Sequence, residues 1–138
     1  FFFIKKNPFV KMGKKFFWEN VFANIFNNLA LKYKYSRSFI LSKIFIRLYT
    51  RVELKKVQSR KRISYIPFFI NLKRSLFLAL KWIFLSVKNN NTKISAADKI
   101  YLELSQILSL SSCASIKKLQ ENNIYSFQNR SNVYYRWD

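Results

Sequence analysis

Residues 71 to 88, NLKRSLFLALKWIFLSVK, restrict the fold more than any other stretch, because their apolar and basic side chains separate with helical spacing. At about 100° per residue, the apolar side chains fall within an arc of about 100° and the basic ones share a second arc of about 100°. The apolar set is Leu72, Leu76, Ala79, Leu80, Ile83 and Val87, and the basic set is Lys73, Arg74, Lys81 and Lys88. The spacing predicts a helix with one face in a core and the other face cationic.

Aromatic residues occupy both sides of this predicted helix. Phe77 and Phe84 fall in the basic arc, which is typical of a surface that meets ribose and bases as well as phosphate. Trp82 lies roughly opposite, so we favour packing in the core or against a partner over base stacking. The NNN at 89–91 is expected to end the helix with a left-handed asparagine cap.

Four more helices and a β-hairpin are predicted along the rest of the chain. Apolar residues recur at helical steps in residues 15–32, 37–49, 95–110 and 115–129, with Ser36 as the N-cap of the second range. The side chains expected to face inward are Phe17, Val21, Phe22, Ile25, Phe26, Leu29, Phe39, Ile40, Ile44, Leu48, Ile100, Leu102, Leu104, Ile107, Leu108, Ile116, Leu119, Ile124 and Phe127.

Residues 52–70 change to β-branched and aromatic types on either side of a polar turn from Gln58 to Arg62, which predicts the hairpin. Pro67 suits an edge strand, and a two-stranded ribbon consists only of edges. The sequence therefore predicts a mainly α fold. We expect one domain over residues 1–138, a bundle of about five to six helices with an extended basic β-hairpin inserted before the helix at 71–88.

Charge determines the kind of partner. The chain has 26 Lys and Arg residues against 6 Asp and Glu, a net charge of +20, and such an excess repels itself unless a polyanion neutralises it. Because 50% of the residues are hydrophobic and 19% are aromatic, a disordered basic tail is excluded. The abundance of Phe, Ile, Asn and Lys beside a single Gly is typical of an AT-rich genome, as organelle genomes often are.

Several functional classes are disfavoured. With no histidine and one cysteine, Cys113, the chain has no plausible zinc site, and we expect an inert buried thiol, no metal and no cofactor. The six acids are scattered without paired spacing, so we expect no enzyme, including the alternative of an organellar RNA-processing enzyme.

Membrane insertion is also disfavoured. The apolar run at 75–87 contains Lys81 and is shorter than the roughly 20 residues of a spanning helix. A cationic membrane-associated organellar protein, with the apolar face of residues 72–87 on anionic lipid, remains the alternative. The first ten residues lack the Arg- and Ser-rich pattern of a transit peptide. If the chain works in an organelle, we therefore expect the organelle genome to encode it.

An ordered set of short motifs carries a resemblance to a known family. These motifs are KMGKK at 11–15, Glu53, Tyr65-Ile66-Pro67, Arg74, Leu78-Ala79-Leu80, Lys81-Trp82-Ile83, Lys117-Lys118, Asn129 and YRW at 135–137. In order and spacing they resemble the small-subunit ribosomal protein number seven family, which has a basic β-ribbon, a Val-Pro at the end of its second strand and an Arg-Trp in the next helix. The family's ribbon turns through a glycine pair, where this chain has Arg60 and Lys61.

The resemblance implies a structural component of an organellar small ribosomal subunit, and we expect the mitochondrial one, in the matrix. It implies binding to the 3′ major domain of small-subunit rRNA and a part in assembling the head of the subunit. The ribbon would lie near the exit site for mRNA and tRNA, beside other head and platform proteins. We expect no membrane insertion and no homo-oligomer.

The residues expected to contact RNA are basic and lie mainly on the ribbon and the predicted helix at 71–88. Repulsion among its positive charges disfavours strand pairing at the ribbon tip when the chain is alone. Among RNA phosphates the same charges are favourable, because each cation displaces condensed counterions. An ordinary surface role is the alternative to RNA contact for Lys14, Lys15, Lys117, Lys118, Arg130 and Arg136. Tyr134, Tyr135 and Trp137 either pack on the domain or reach RNA and neighbouring proteins. The full set is Lys11, Lys14, Lys15, Lys55, Lys56, Arg60, Lys61, Arg62, Lys73, Arg74, Lys81, Lys88, Lys117, Lys118, Arg130 and Arg136.

Overall fold

A computed structural model describes residues 13–59 and 62–134. Helices make up most of this part, and one two-stranded antiparallel ribbon interrupts them. The elements are α1 (Lys15–Tyr33), α2 (Arg37–Arg47), β1 (Val52–Ser59), β2 (Arg62–Phe69), α3 (Leu72–Asn89), α4 (Ala96–Leu108), α5 (Ala114–Gln128) and a 3₁₀ helix (Arg130–Tyr134). The predicted fold class, mainly α with a basic hairpin, is confirmed.

The main core lies among α1, α2, α3 and α4, where the apolar faces of these amphipathic helices meet. Leu29, Ile40, Ile44, Ile100 and Ile107 are each 0% exposed. Because all five were identified from three- and four-residue spacing, the centres of the helical faces are the part of the core that periodicity predicts well.

Six side chains expected to face inward are instead at least 42% exposed, and these predictions are wrong. Helical spacing predicts which way a side chain points from the helix axis, but not how far along the helix a neighbouring element covers that face. Four of the six lie in a first or last turn of their helix. The other two lie at mid-helix. The six are Phe17, Phe39, Leu72, Leu102, Ile124 and Phe127.

The buried face of α3 also includes residues outside the predicted arc. Ser75, Leu78 and Trp82 are buried, while Leu72 in the first turn is 63% exposed. The expectation that Trp82 packs inward is therefore confirmed, at 8% exposure. Phe84, expected on the cationic surface, is half-buried against the main core, and that prediction is wrong.

Helix ends follow local side-chain chemistry. The predicted cap of α2 is present, since the Phe39 N–H donates to Ser36 Oγ at 3.4 Å. The predicted left-handed asparagine after α3 is absent, because Asn90 has φ −78° and ψ 107°. Its Oδ1 instead accepts the Thr92 N–H at 3.2 Å, and an Asx turn of this kind ends the helix without a positive φ.

A buried carboxylate fixes the start of α5. Glu103 Oε1 accepts hydrogen bonds from Ser115 N at 3.0 Å and Ser115 Oγ at 2.6 Å, so a charged acceptor satisfies donors at the helix N-terminus. Cys113 beside it is 3% exposed, and burial raises the pKa of its thiol. The expected inert, buried cysteine follows, because the thiol stays protonated near neutral pH.

The base of the ribbon is held between α3 and α5. Thr50 N donates to the buried Ser75 Oγ at 3.2 Å, and Asn122 Nδ2 donates to the Val52 carbonyl at 2.9 Å. Further along, Asn132 Nδ2 in the 3₁₀ helix donates to the Tyr65 carbonyl at 3.1 Å. These side-chain bonds to backbone fix the ribbon relative to the helices.

Candidate nucleic-acid interface

An ion pair joins the ribbon to the helix that follows it. Glu53 on β1 accepts two hydrogen bonds from Arg74 on α3, from Nε at 2.8 Å and from Nη2 at 2.6 Å. A two-point contact between guanidinium and carboxylate fixes orientation as well as distance. The ribbon therefore meets α3 at a defined angle rather than only through the chain that connects them.

Two lysines lie close enough to Glu53 to influence its charge. The hydrogen bonds from Arg74 hold the pKa of the Glu53 carboxyl below its usual value against the opposing effect of partial burial, and the charges of Arg74, Lys55 and Lys81 lower it further. We call Glu53, Lys55, Arg74 and Lys81 the ribbon junction. One carboxylate facing three cations leaves two positive charges uncompensated there.

Arg74 makes two contacts within the chain. Its guanidinium is paired with Glu53 and lies 5.4 Å from the centre of the Phe77 ring, while 48% of its side chain is exposed, so the predicted RNA contact of Arg74 stays a prediction. Phe77 was expected among the surface aromatics and is half-buried beneath this arginine. Lys73, which is exposed, lines a cleft of about 420 Å³ with Asn71, Arg74 and Phe77.

The ribbon carries cations on both faces. In the antiparallel register Lys55 lies opposite Ile66 and Lys56 opposite Tyr65, and neighbouring residues of a strand point to opposite faces. The Lys55 ammonium lies 4.6 Å from the Phe68 ring centre, on the face that carries Glu53. Lys56 lines a cleft with Leu54, Tyr65, Tyr125 and Asn129, between the ribbon and α5.

The remaining predicted cations lie on other elements. Lys15 pairs with Glu19 at 3.7 Å and Lys118 with Glu121 at 2.7 Å, so a nearby acid offsets each charge. Arg130 lies 4.3 Å from the Phe127 ring centre. These three cations are exposed, as are Arg62 on β2, Lys14 before α1, Lys88 in the last turn of α3 and Lys117 on α5.

Some predictions fall on residues outside 13–59 and 62–134. These are the candidate RNA contacts Lys11, Arg60, Lys61 and Arg136, together with Tyr135 and Trp137. Within the described ranges, Lys55, Arg74 and Lys81 of the predicted set each lower the pKa of the Glu53 carboxyl through their charge.

Glu53 is the member of the junction that the list of basic candidates omitted. It is the only acid between Glu19 and Asp98, a span that holds many cations, and this isolation was a usable signal. An acid retained in such a stretch indicates a specific partner, which here is Arg74, 21 residues further along the chain.

We predict that Glu53 makes stability depend on pH. Its folded pKa lies below the ordinary value of 4.5, so the stabilisation is present above 4.5 and is lost as pH falls through the folded pKa. Urea unfolding of the wild-type chain and of Glu53→Gln, compared between about pH 6 and pH 3, should show a difference that shrinks as pH falls. A difference that is constant with pH would contradict the ion pair.

The described residues show neither of two other kinds of site. No helix in ranges 13–59 and 62–134 is long and apolar enough to cross a bilayer. Nor do those ranges bring three or more His, Cys, Asp or Glu side chains together as a metal site.

The chain is a helical body with a basic ribbon, and an ion pair fixes that ribbon to a cationic helix. This arrangement places it in the class of basic proteins that bind a polyanionic partner. The family model described as Ribosomal protein S7p/S5e matches residues 4–128, and the chain belongs to this family. It is therefore a small-subunit ribosomal protein of an rRNA-binding, structural family rather than an enzymatic one. No curated protein matches the chain by sequence.

Proposed function

We propose that the chain binds the 3′ major domain of small-subunit rRNA and helps to assemble the head of the subunit. The observation that carries this is the ribbon junction, where the Glu53–Arg74 ion pair joins the ribbon to α3 and the charges of Lys55 and Lys81 remain uncompensated. Because the ion pair fixes the ribbon junction before binding, the junction can contact the backbone of folded RNA with little loss of side-chain freedom. Phosphate contacts then supply affinity, and RNA shape supplies specificity.

The cations divide into three groups in this proposal. Lys55, Lys56, Arg62, Lys73 and Lys81 contact phosphates directly, since all five are exposed on the ribbon or on α3. Arg74 acts by positioning the ribbon. The secondary contacts are Lys14, Lys15, Lys88, Lys117, Lys118 and Arg130, with Lys11, Arg60, Lys61 and Arg136 as predicted contacts outside the described residues.

The ribbon would lie near the exit site for mRNA and tRNA, beside head and platform proteins. This part of the proposal follows from the family resemblance and from a ribbon whose base is fixed to the helical body. Exposed apolar side chains of α5 and the 3₁₀ helix, including Ile124, Phe127 and Tyr134, suit contacts with neighbouring proteins.

A mitochondrial ribosome is the proposed location. The support is compositional, since 15 Phe against a single Gly in 138 residues is typical of an AT-rich organellar genome. Neither the fold nor the charge pattern depends on this part of the proposal.

Sedimentation of a mitochondrial lysate tests function and location together. The chain, detected with an antibody, should sediment with small ribosomal subunits. When ribonuclease degrades the subunits, the chain should shift with them to lighter fractions. Recovery with floated anionic liposomes at high salt, without ribosomal particles, would contradict the proposal and favour a membrane-associated protein.

A further inference from the structure

A cluster of two rings and one lysine lies at the start of α2, apart from the ribbon junction. The Tyr35 and Phe39 ring centres are 4.8 Å apart with an angle of 51° between the planes. The Lys43 ammonium lies 4.6 Å from the first ring centre and 4.8 Å from the second. We call Tyr35, Phe39 and Lys43 the α2 platform.

The platform stays open to solvent although its members touch one another. Tyr35 is 48% exposed and Phe39 is 42% exposed. The exposed aromatic surface is one that a planar ring would remove from water by stacking on it.

The surroundings of the platform are positively charged. Residues 20–52 contain six cations and no acid, and exposed Lys34 and Arg37 flank Tyr35. Two other cations of this segment serve the fold, since Arg47 Nη1 donates to the Ile107 carbonyl and Lys32 lies over the rings of Tyr33 and Tyr101. The charges next to the rings therefore complement an anionic ligand.

We propose that the α2 platform binds an unpaired nucleotide of single-stranded RNA. The base stacks on the exposed ring surface, and Lys43, Lys34 and Arg37 neutralise the adjoining phosphates. Lys43 is already held over both rings, so binding orders one long side chain less than it otherwise would. A protein partner is disfavoured because it would have to present acidic side chains to the three cations and, beside them, a surface that packs on the two rings.

The platform forms a second RNA contact, separate from the ribbon. It lies at the first turns of α2, an 11-residue helix of about 16 Å, whereas the ribbon follows the other end of that helix. This inference rests on the proposed function for its ligand class. Two contacts on one rigid body would raise affinity for an RNA that presents a helical region and an unpaired base together.

The test compares binding of the full-length chain to short oligoadenylate and to an abasic oligomer of equal length and charge. The wild-type chain should prefer oligoadenylate, and Tyr35→Leu with Phe39→Leu should reduce that preference by roughly tenfold, the scale of one stacked base. Tyr35→Phe with Phe39→Tyr keeps both rings and should keep the preference. Leu31→Ala with Ile46→Ala, which trims the exposed apolar surface of α1 and α2, should also keep it.

Either of two results overturns the platform: equal affinity of the wild-type chain for the two oligomers, or a preference that survives in the Leu variant. If the preference survives in the Leu variant and that variant also loses a neighbouring protein from assembled subunits, the α2 platform is a protein contact. Circular dichroism checks that each variant is folded. Since oligoadenylate carries no rRNA sequence, failure of the proposed function would appear separately, as equal binding to cognate and unrelated RNA.

Discussion

Replacing Lys55, Lys56, Arg62, Lys73 and Lys81 together with Gln is expected to weaken binding to the rRNA fragment by about 100-fold or more at physiological salt. The log–log salt slope should fall by about 4 to 5 units, at about 0.9 per lost duplex contact. The reason is counterion release, because each cation that reaches a phosphate frees condensed ions into solution. Filter binding or fluorescence anisotropy over a salt series measures both quantities.

A matched control separates a localised interface from diffuse attraction. Lys32 on α1 and Lys93 in the loop after α3 are exposed cations that belong neither to the ribbon nor to α3, and replacing both with Gln should change the slope by less than about one unit. If each control substitution reduces the slope as much as each interface substitution does, the RNA contact is not localised at the ribbon and α3. All variants keep the Glu53–Arg74 pair, so the position of the ribbon should not change.

The second large effect concerns the helix that carries the junction. Ile83→Ala should lower the free energy of unfolding by about 2 to 5 kcal/mol, because Ile83 is 2% exposed in the main core and its loss leaves a cavity. Leu72→Ala on the same helix is the control and should change stability by no more than about 0.5 kcal/mol, since Leu72 is 63% exposed.

Urea unfolding followed by Trp fluorescence and far-UV circular dichroism measures both substitutions. The pair is informative because helical spacing placed Leu72 and Ile83 on the same inward face, whereas the structure separates them. Equal losses of stability for the two variants would support the simple helical wheel and contradict the packing of α3.

The sequence predicted elements better than it predicted their surroundings. Helical periodicity located Ile40, Ile44 and Leu104 in the core, since these lie at the centre of apolar faces that any amphipathic helix must bury. Ser36 was predictable because a cap depends on residues within one turn. Leu72 and Phe39 were misplaced because their exposure depends on where neighbouring helices end, which no local pattern records.

The ribbon junction illustrates the same limit for the candidate site. Basic residues could be found by counting charges, but the assignment of Arg74 required its pairing with Glu53 on another element, 21 residues earlier. The α2 platform was missed for a different reason. Phe39 fitted the apolar spacing of α2 and was taken for a core residue, and only its exposure and its contacts with Tyr35 and Lys43 distinguish it.

The most direct test of RNA recognition is a competition at increasing salt between the 3′ major-domain rRNA fragment and an unrelated RNA of equal length. Phosphate contacts available on both RNAs weaken together as salt rises, whereas recognition of shape is particular to the cognate fold. We expect the wild-type chain to prefer the cognate fragment at every salt concentration. Equal affinity for the two RNAs throughout the series would contradict specific binding to small-subunit rRNA.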